Sequence, residues 1–352
     1  MIELVFSTTS GNYPVAVGNG IAQTIGRYIP PKASKVAFVV QESVANTDYF
    51  KAIHVDCESK VFVIPEGEEA KTFATIETLC GGFAEFAMTR SDLCISVGGG
   101  VVSDVGGFAA SIYHRGMQVI HVPTTLLAQL DASLGGKTGI NLSLGKNLVG
   151  TFWQPSAVIC DLDAFATLPK RELQSGLGEM AKYHFIAKSV GYAPPSASPQ
   201  PGVEEIAQCV AIKAAFVSLD EREGGQRALL NYGHTLAHAL EIVGQFGLRH
   251  GEAVAVGLVF AAELARKLGR IDDQRVDDHR QVLAEYGLGS AMPKNADAGQ
   301  LIEVMMRDKK ALSHHGLTFV LDGPRGPEVV SGIEPDVVSD LINELSEKEP
   351  SN

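Results

Sequence analysis

The chain has 352 residues, enough for two domains or for one large domain with a sizeable core. Hydrophobic residues make up 45% of it, aromatic residues only 7%, and 37 residues are glycine, which favours a soluble α/β enzyme rich in tight turns over a disordered or all-β chain. The formal net charge of −12 argues against general binding to nucleic acid or to an anionic membrane, although a local basic pocket could still hold a small anion.

The cysteines and the apolar segments predict a cytosolic protein. The five cysteines are scattered and form no CxxC pair, so we expect reduced thiols in a reducing compartment. The segment MIELVFSTTS has no basic stretch followed by a long apolar core, unlike a secretory signal. The most apolar run, AVAVGLVFAAELA, is too short to cross a bilayer.

Predicted strands alternate with helix-like segments in the first half of the chain. This alternation predicts a parallel sheet with helices on its faces, an α/β domain over residues 1–168. From about Leu173 the pattern indicates helices throughout, with the loop PPSASPQPG between two of them, so we expect a helical domain over 169–352. The predicted strands lie in the runs KVAFVV, KVFVIP, DLCISVGGG, MQVIHVP and AVICDL.

A glycine run follows one of these strands and opens a helix. In DLCISVGGGVVSDVGG, the residues Gly98 to Gly100 let backbone N–H groups approach a phosphate at a helix N-terminus. The spacing is not GxGxxG, so this run alone fits a tight turn equally well. The earlier segment PEGEEAK, taken alone, is better explained as a solvated helix start.

The segment HVPTTLLAQLDASLGGKTGINLSLGKNLVGTFWQP is a stronger signal. It places Asp131 in apolar surroundings and puts Lys137 and Lys146 in glycine-rich loops, with Asn147 beside the second lysine. Lysines and an amide on such loops predict a cradle for an anion.

Three histidines lie in NYGHTLAHALEIVGQFGLRHGEAVAVG. His234 and His238 have the i, i+4 spacing with which a helix presents two imidazoles to one site, and Asn231 and Glu241 are expected on the same face. His250 begins the next predicted helix and could fold back beside the first.

Three converging side chains with one open position describe a catalytic metal site. The third ligand is either His238 or Glu179 of RELQSGLGEMAKYHFIAK, which is followed by Lys182 one turn further along the same helix face. Spacing does not choose between them. HExxH is absent, which disfavours a zinc protease of that type.

Taken together and in order, these segments resemble the 3-dehydroquinate synthase family of the shikimate pathway. The resemblance covers about Pro65 to Val320. It implies an N-terminal Rossmann-like NAD-binding α/β domain, a C-terminal all-α metal-binding domain and a homodimer. The matching blocks are GGGVVSDVGGFAAS, YHRG, VPTTLLAQLDASLGGKTGIN, LGKNLVG, LPKRELQSGLGEMAKY, DEREGGQRALLNYGHTLAHALE, RHGEAVAVG and RDKKALSHHGLTFVL.

The resemblance also implies a role for each matching position. The metal ligands are Glu179, His234 and His250, for Zn²⁺ or alternatively Co²⁺. Arg115 of YHRG reaches the active site of the neighbouring subunit, and one of Lys309 and Lys310 meets the substrate. The NAD⁺ positions are Glu68, Lys71, Gly99, Gly100, Asp104, Thr124, Thr125, Lys137, Lys146, Phe165 and Leu168. The substrate positions are Asp131, Lys137, Asn147, Lys182, Lys213, Arg227, Asn231 and His238.

The implied enzyme is a carbon–oxygen lyase. It converts 3-deoxy-D-arabino-heptulosonate 7-phosphate to 3-dehydroquinate and phosphate by transient oxidation with NAD⁺, β-elimination and intramolecular aldol closure. Arg227 and Lys213 suit the carboxylate of this sugar phosphate. One departure is Gln41-Glu42 in VVQESV, where the family usually has an acidic residue, so we expect a different recognition of the adenosine ribose.

Other functions remain as alternatives. An aminodehydroquinate synthase keeps the carboxylate and is compatible with every motif. Arg227 and Lys213 argue against 2-epi-5-epi-valiolone synthase and 2-deoxy-scyllo-inosose synthase, whose substrates have no carboxylate. Glycerol-type dehydrogenases lack the GGKTGIN and LGKN segments. A non-catalytic NAD-binding regulatory protein is disfavoured by the complete metal set and the lysine and arginine positions.

Overall fold

The computed structural model describes residues 1–221, 225–244, 246–307 and 316–347. The chain divides into two compact units, Met1–Pro169 with Gly202–Ser218, and Lys170–Pro201 with Leu219–Asn352. The chain therefore leaves the first unit after Pro169 and returns to it for Gly202–Ser218. The functional domains 1–168 and 169–352 stay a prediction.

The strands and helices of the described chain are as follows. The strands are β1 (Ile2–Thr8), β2 (Gly11–Gly18), β3 (Lys35–Gln41), β4 (Glu58–Ile64), β5 (Leu93–Gly98), β6 (Gln118–Pro123), β7 (Lys137–Leu142), β8 (Gly145–Phe152), β9 (Ala157–Asp161), β10 (Leu317–Leu321) and β11 (Glu328–Ile333). The α-helices are α1 (Glu42–Ala45), α2 (Asp48–Lys51), α3 (Phe73–Glu85), α4 (Gly100–Ile112), α5 (Lys170–Ile186), α6 (Val203–Leu219), α7 (His234–Val243), α8 (His250–Lys267), α9 (Asp273–Glu285), α10 (Ala298–Arg307) and α11 (Pro335–Glu347).

The first unit is built on a seven-stranded sheet in the order β1-β2-β9-β6-β5-β3-β4. All neighbouring strands from β2 to β4 are parallel, and β1 pairs antiparallel with β2 at one edge. The predicted strands are confirmed as β3, β4, β5, β6 and β9. The centre of the sheet is buried on both faces, since successive residues of β3 enter different cores: Ala37 and Val39 on one side, and Val36, Phe38 and Val40 on the other.

A two-stranded antiparallel sheet, β7 with β8, replaces the glycine-rich loops that the sequence predicted. The loop interpretation was wrong because these glycines permit close backbone approach. A Cβ at Gly150 would overlap the carbonyl of Thr138, and one at Gly139 would lie 2.7 Å from the carbonyl oxygen of Val149. Lys137 therefore begins a strand, and Lys146 lies within one.

The second unit is mostly helical, as predicted, and contains α5 and α7 to α11. Helix α8 is its centre, with every residue from Ala253 to Ala265 buried. The strands β10 and β11 pair antiparallel and are an exception to the prediction of helices throughout. Among the described residues, no helix has both the length and the hydropathy needed to cross a membrane.

Candidate functional site

Three side chains of the second unit converge on one point. Glu179 lies in α5, while His234 and His250 are the first residues of α7 and α8. The Nε2 atoms of His234 and His250 lie 3.2 Å and 3.1 Å from Oε1 of Glu179. All three candidate ligand atoms lie within 4.8 Å of one another. The cluster contains Glu179 and not His238, whose ring centroid lies 5.4 Å from that of His234.

Glycines bring these helices together. A Cβ at Gly178, next to Glu179, would overlap the carbonyl of Gly251 at the start of α8. A Cβ at Gly251 would in turn overlap the carbonyl of Ser175 in α5. The helices therefore cross with their backbones touching, which brings Glu179 and His250 within reach of each other.

A third glycine places His234. Gly233 has a φ of 79° and ends the non-helical stretch just before α7. A Cβ at Gly257 of α8 would overlap the carbonyl of Gly233, so α7 begins directly against α8. The prediction that Asn231 shares a helical face with His234 was wrong, because Asn231 ends a separate 3₁₀ segment at 226–231.

The hydrogen bonds of the two imidazoles fix their orientation. Nδ1 of His234 donates to the carbonyl of Tyr232 at 3.1 Å, and Nδ1 of His250 donates to Oε2 of Glu241 at 3.1 Å. Each imidazole thus turns its Nε2 atom towards Oε1 of Glu179. Two imidazole nitrogens and one carboxylate oxygen form a donor set that suits Zn²⁺ or Co²⁺ and leaves a coordination position open.

The charged neighbours of Glu179 keep its carboxylate ionised. Glu179 is fully buried and its Oε2 accepts a hydrogen bond from the ammonium of buried Lys182. Burial opposes ionisation, but Lys182 and His234 outweigh it and hold the pKa of Glu179 well below its ordinary value. Burial likewise opposes protonation of His250, yet hydrogen bonds to Glu179 and Glu241 raise the pKa of His250 to about 10. The carboxylate is therefore ionised at neutral pH.

Arg227 is a buried cation in the same unit. Its side chain is 2% exposed, and Nη1 donates to the carbonyl of Glu221. Within the described chain, Nε of Arg227 has no hydrogen-bond partner. A buried guanidinium N–H without an acceptor is unfavourable by itself, so this position suits an anionic ligand.

In the first unit, several of the predicted NAD positions form one hydrogen-bonded network. Buried Lys71 donates to Oδ2 of Asp104 at 2.7 Å and to Oδ1 of Asn147, and its ammonium lies 3.7 Å from Oε1 of Glu68. Burial raises the pKa of Asp104 to about 6, despite the opposing effect of Lys71. Asn147 has a left-handed φ of 57°, which asparagine tolerates better than most residues.

Asn141 completes this network and was not singled out from the sequence. Its Nδ2 donates to Glu68 at 2.8 Å, and its Oδ1 accepts from the backbone N–H of Asn147 at 2.8 Å. The short distance in sequence between the two asparagines of GINLSLGKN was the available signal. It becomes informative only when β7 and β8 are known to form a hairpin.

The glycine run forms the corner between β5 and α4. Gly98 ends the strand, Gly99 caps the helix and Gly100 begins it. The backbone N–H of Thr124 donates to the carbonyl of Gly98 at 3.0 Å, and a Cβ at Gly99 would lie 3.2 Å from the methyl of Thr125. The structure therefore gathers the predicted positions at this corner. Close packing explains part of the need for glycine there.

The remaining predicted positions are more dispersed. Lys213 of α6 donates to Oδ1 of Asp131 and, at 2.5 Å, to its carbonyl, so these two substrate positions are paired. Phe165 and Leu168 lie in and just after the 3₁₀ segment at 162–167. Arg115 is exposed on a turn with a left-handed φ of 63°. Lys309 and Lys310 lie outside the described residues.

Comparison with known proteins identifies the family. Residues 61–175 match the family model for the N-terminal part of 3-dehydroquinate synthase, and residues 176–311 match that for the C-terminal part. A 3-dehydroquinate synthase of Mycolicibacterium gilvum (strain PYR-GCK) is 39% identical over 350 residues, which cover 96% of this chain and 97% of that protein. The chain belongs to the 3-dehydroquinate synthase family. The resemblance predicted from the sequence motifs is thereby confirmed.

Two further proteins are similar to this chain over nearly its whole length. A protein of Amycolatopsis mediterranei (strain S699) with the provisional name aminodehydroquinate synthase is 48% identical over 334 residues, 95% of this chain and 92% of that protein. A crystal structure of 2-deoxy-scyllo-inosose synthase, complexed with carbaglucose-6-phosphate, NAD⁺ and Co²⁺, is 25% identical. It superposes with a TM-score of 0.86 over 97% of this chain and 100% of that chain.

Proposed function

We propose that the protein is a 3-dehydroquinate synthase that converts 3-deoxy-D-arabino-heptulosonate 7-phosphate to 3-dehydroquinate and phosphate. The observation that carries the proposal is the convergence of Glu179, His234 and His250 on one point, in a chain of this family. The proposed cofactors are NAD⁺ and a divalent ion, zinc or cobalt. The 2-deoxy-scyllo-inosose synthase structure, with NAD⁺ and Co²⁺, supports this pair of cofactors.

The second unit is proposed to bind the metal and the substrate carboxylate. A metal ion held by Glu179, His234 and His250 would supply Lewis acidity to substrate oxygens. Lys182 holds Oε2 of Glu179, so that Oε1 remains directed at the two imidazoles. Buried Arg227 offers its guanidinium N–H groups to the substrate carboxylate. Sedoheptulose 7-phosphate and glucose 6-phosphate have a phosphate but no carboxylate.

The first unit is proposed to bind NAD⁺, which would supply a reversible hydride acceptor. The corner at Gly99 and Gly100 presents the N-terminus of α4, where backbone N–H groups and the helix dipole favour a pyrophosphate. Lys71 orders Asp104 and Asn147 around its ammonium and keeps Glu68 nearby. These groups provide both acceptors for ribose hydroxyls and a cation for phosphate.

An aminodehydroquinate synthase is the second candidate function. It is favoured by one observation, the 48% identity to the relative of that provisional name, against 39% to the synthase of Mycolicibacterium gilvum. Both reactions need the same metal cluster, NAD⁺ and carboxylate-binding arginine, so the site residues do not separate them.

A substrate panel separates the candidates. Phosphate release is measured with NAD⁺ and Zn²⁺ or Co²⁺ present, from the keto heptulosonate phosphate, its amino analogue, sedoheptulose 7-phosphate and glucose 6-phosphate. We expect turnover of the keto substrate. Preference for the amino analogue would establish the second candidate, and turnover of only the carboxylate-free sugars would refute both. Binding of NAD⁺ without phosphate release from any of them would support a regulatory protein.

The wider setting is proposed from the family alone. We infer a role in the shikimate pathway and in aromatic amino acid biosynthesis, a cytoplasmic location, and a homodimer in which Arg115 serves the neighbouring subunit. The exposed position of Arg115 on a strained turn is compatible with a contact to another subunit.

A further inference from the structure

The two imidazoles of the candidate metal site are held by different kinds of partner. His234 donates from Nδ1 to a backbone carbonyl, that of Tyr232. His250 donates from Nδ1 to a side-chain carboxylate, that of Glu241, at 3.1 Å. The orientation of His234 is thus set by the main chain before α7. On the Nδ1 side, His250 is held by one replaceable side chain.

Glu241 is placed for this contact by the geometry of α7. It lies about two helical turns beyond His234 on the same face, and the chain then turns back so that His250 begins α8 beside it. The two side chains are part-buried, with 19% exposure for Glu241 and 26% for His250. A carboxylate that accepts from one imidazole nitrogen fixes the tautomer and increases the basicity of the other nitrogen.

We propose that Glu241 is a positioning residue for the metal site. By accepting the Nδ1 proton of His250, it holds the ring so that Nε2 points at Oε1 of Glu179, 3.1 Å away, and strengthens the binding of a divalent cation. The sequence placed Glu241 on the polar face of α7 but assigned it no role. This inference rests on the proposed metal site, although it does not depend on which sugar phosphate is converted.

Metal titration of the full-length apoprotein tests the proposal. Co²⁺ is titrated into the wild type, Glu241→Gln and Glu241→Ala after removal of bound metal with a chelator, and binding is followed by the visible absorption of the cobalt. We expect the Kd for Co²⁺ to rise about 10- to 100-fold in Glu241→Ala. The increase should be smaller in Glu241→Gln, because an amide oxygen can still accept the Nδ1 proton.

The cobalt spectrum separates positioning from simple charge attraction. A misoriented His250 changes the coordination geometry, so the saturated spectrum of Glu241→Ala should differ from that of the wild type, while that of Glu241→Gln should stay close to it. Glu303→Gln is the matched control, because it removes the same charge from an exposed pair with Arg307 in α10. The control should bind Co²⁺ as the wild type does.

Two results overturn the proposal. The first is a folded Glu241→Ala apoprotein whose Kd and cobalt spectrum equal those of the wild type. The second is an equal loss of affinity in Glu241→Ala and Glu241→Gln with unchanged spectra, which indicates long-range charge only. If Glu241→Ala does not fold, the comparison of Glu241→Gln with Glu303→Gln decides, because equal Kd values contradict the proposal. The titration uses no substrate, so failure of the proposed reaction appears separately, as absent phosphate release from a protein that binds metal.

Discussion

Arg227 is the residue on which the proposed choice of substrate depends. Its guanidinium is buried, one N–H group on Nε has no partner in the described chain, and an arginine fork matches a carboxylate better than a lysine does. We expect Arg227→Lys to lower kcat/KM for the keto heptulosonate phosphate by about 10- to 100-fold, the value of one or two charge-assisted hydrogen bonds. Steady-state phosphate release measures this loss.

Inorganic phosphate serves as the internal control for that variant. It lacks a carboxylate, so its inhibition constant should be the same for the wild type and Arg227→Lys. Equal losses for substrate and inorganic phosphate would show that Arg227 acts on the phosphate group or on the fold.

His121 is a buried histidine that the proposed chemistry does not use. It lies on β6 beside Ser96 of β5, and its Nδ1 has no partner among the described residues. Burial lowers the pKa of His121 from 6.5 to about 4. As the pH falls, His121 therefore gains a proton in the unfolded chain before it does so in the folded protein. The contribution of the neutral, buried His121 to stability is complete above pH 6.5 and is lost as the pH falls towards 4.

We expect this single group to lower the free energy of unfolding by about 2 kcal/mol at about pH 5 relative to about pH 8. In His121→Gln, which cannot titrate, this part of the pH dependence should be missing from chemical denaturation curves. His54→Gln, a change at an exposed histidine, should keep the wild-type slope. An unchanged slope in His121→Gln would mean that His121 is not held neutral by burial.

The crossing of α5 and α8 brings two of the candidate metal ligands, Glu179 and His250, together. Because a Cβ at Gly178 would overlap the carbonyl of Gly251, Gly178→Ala must separate the helices. We expect a loss of about 1–3 kcal/mol in the free energy of unfolding, typical of overpacking, together with weaker Co²⁺ binding. Thermal or chemical denaturation and metal titration measure the two effects.

Gly81→Ala is the matched control for this substitution. Gly81 lies in α3, and a Cβ there meets open space, so alanine should stabilise the helix by about 0.5–1 kcal/mol. The account of the helix crossing fails if Gly178→Ala behaves like Gly81→Ala.

The starts of α7 and α8 supply the two imidazoles of the cluster. We expect His250→Ala to lose bound metal on dialysis, because one of three ligands is gone, whereas His238→Ala should keep it. Metal analysis by mass spectrometry gives the ion content of each variant, and circular dichroism checks that both remain folded. Retention of metal in His250→Ala with loss in His238→Ala would assign the ligand to His238.

The elements differ in how far the sequence predicted them. The strands β3, β5 and β9 were predictable because their runs, such as KVAFVV, are buried on both faces and therefore continuously apolar. The β7–β8 hairpin was missed because glycines that permit strands to approach look like loop residues. The start of α7 was placed too early because helical periodicity does not reveal that Gly233 has a left-handed φ of 79°.

The candidate site was predictable to a similar degree. Family motifs pointed to Glu179, His234 and His250, and the structure brings these three together. Glu241 and Asn141 were given no role from the sequence. Each contacts a residue, His250 and Asn147 respectively, that only a turn of the backbone brings beside it. Such contacts follow from the packing of α7 on α8 and of β7 on β8, which no local pattern specifies.

At the scale of the whole molecule, each unit contains one part of the proposed apparatus. The first unit contains the glycine corner and the network around Lys71, which are the proposed NAD⁺ positions. The second contains the Glu179, His234 and His250 cluster and buried Arg227. The protein as a whole is acidic, with a net charge of −12. The buried cations Lys71 and Arg227 are therefore specific positions for anionic groups and not part of a general basic surface. We therefore expect a reaction that needs both NAD⁺ and a metal ion and consumes neither.

Turnover with limiting NAD⁺ tests this central claim most directly. The metal-loaded protein is given keto heptulosonate phosphate in large excess over NAD⁺, and phosphate release and NADH absorbance are followed together. We expect the phosphate released to exceed the NAD⁺ supplied many times over, without net formation of NADH. Accumulation of NADH in proportion to the substrate consumed, or phosphate release that needs no NAD⁺, would contradict the account.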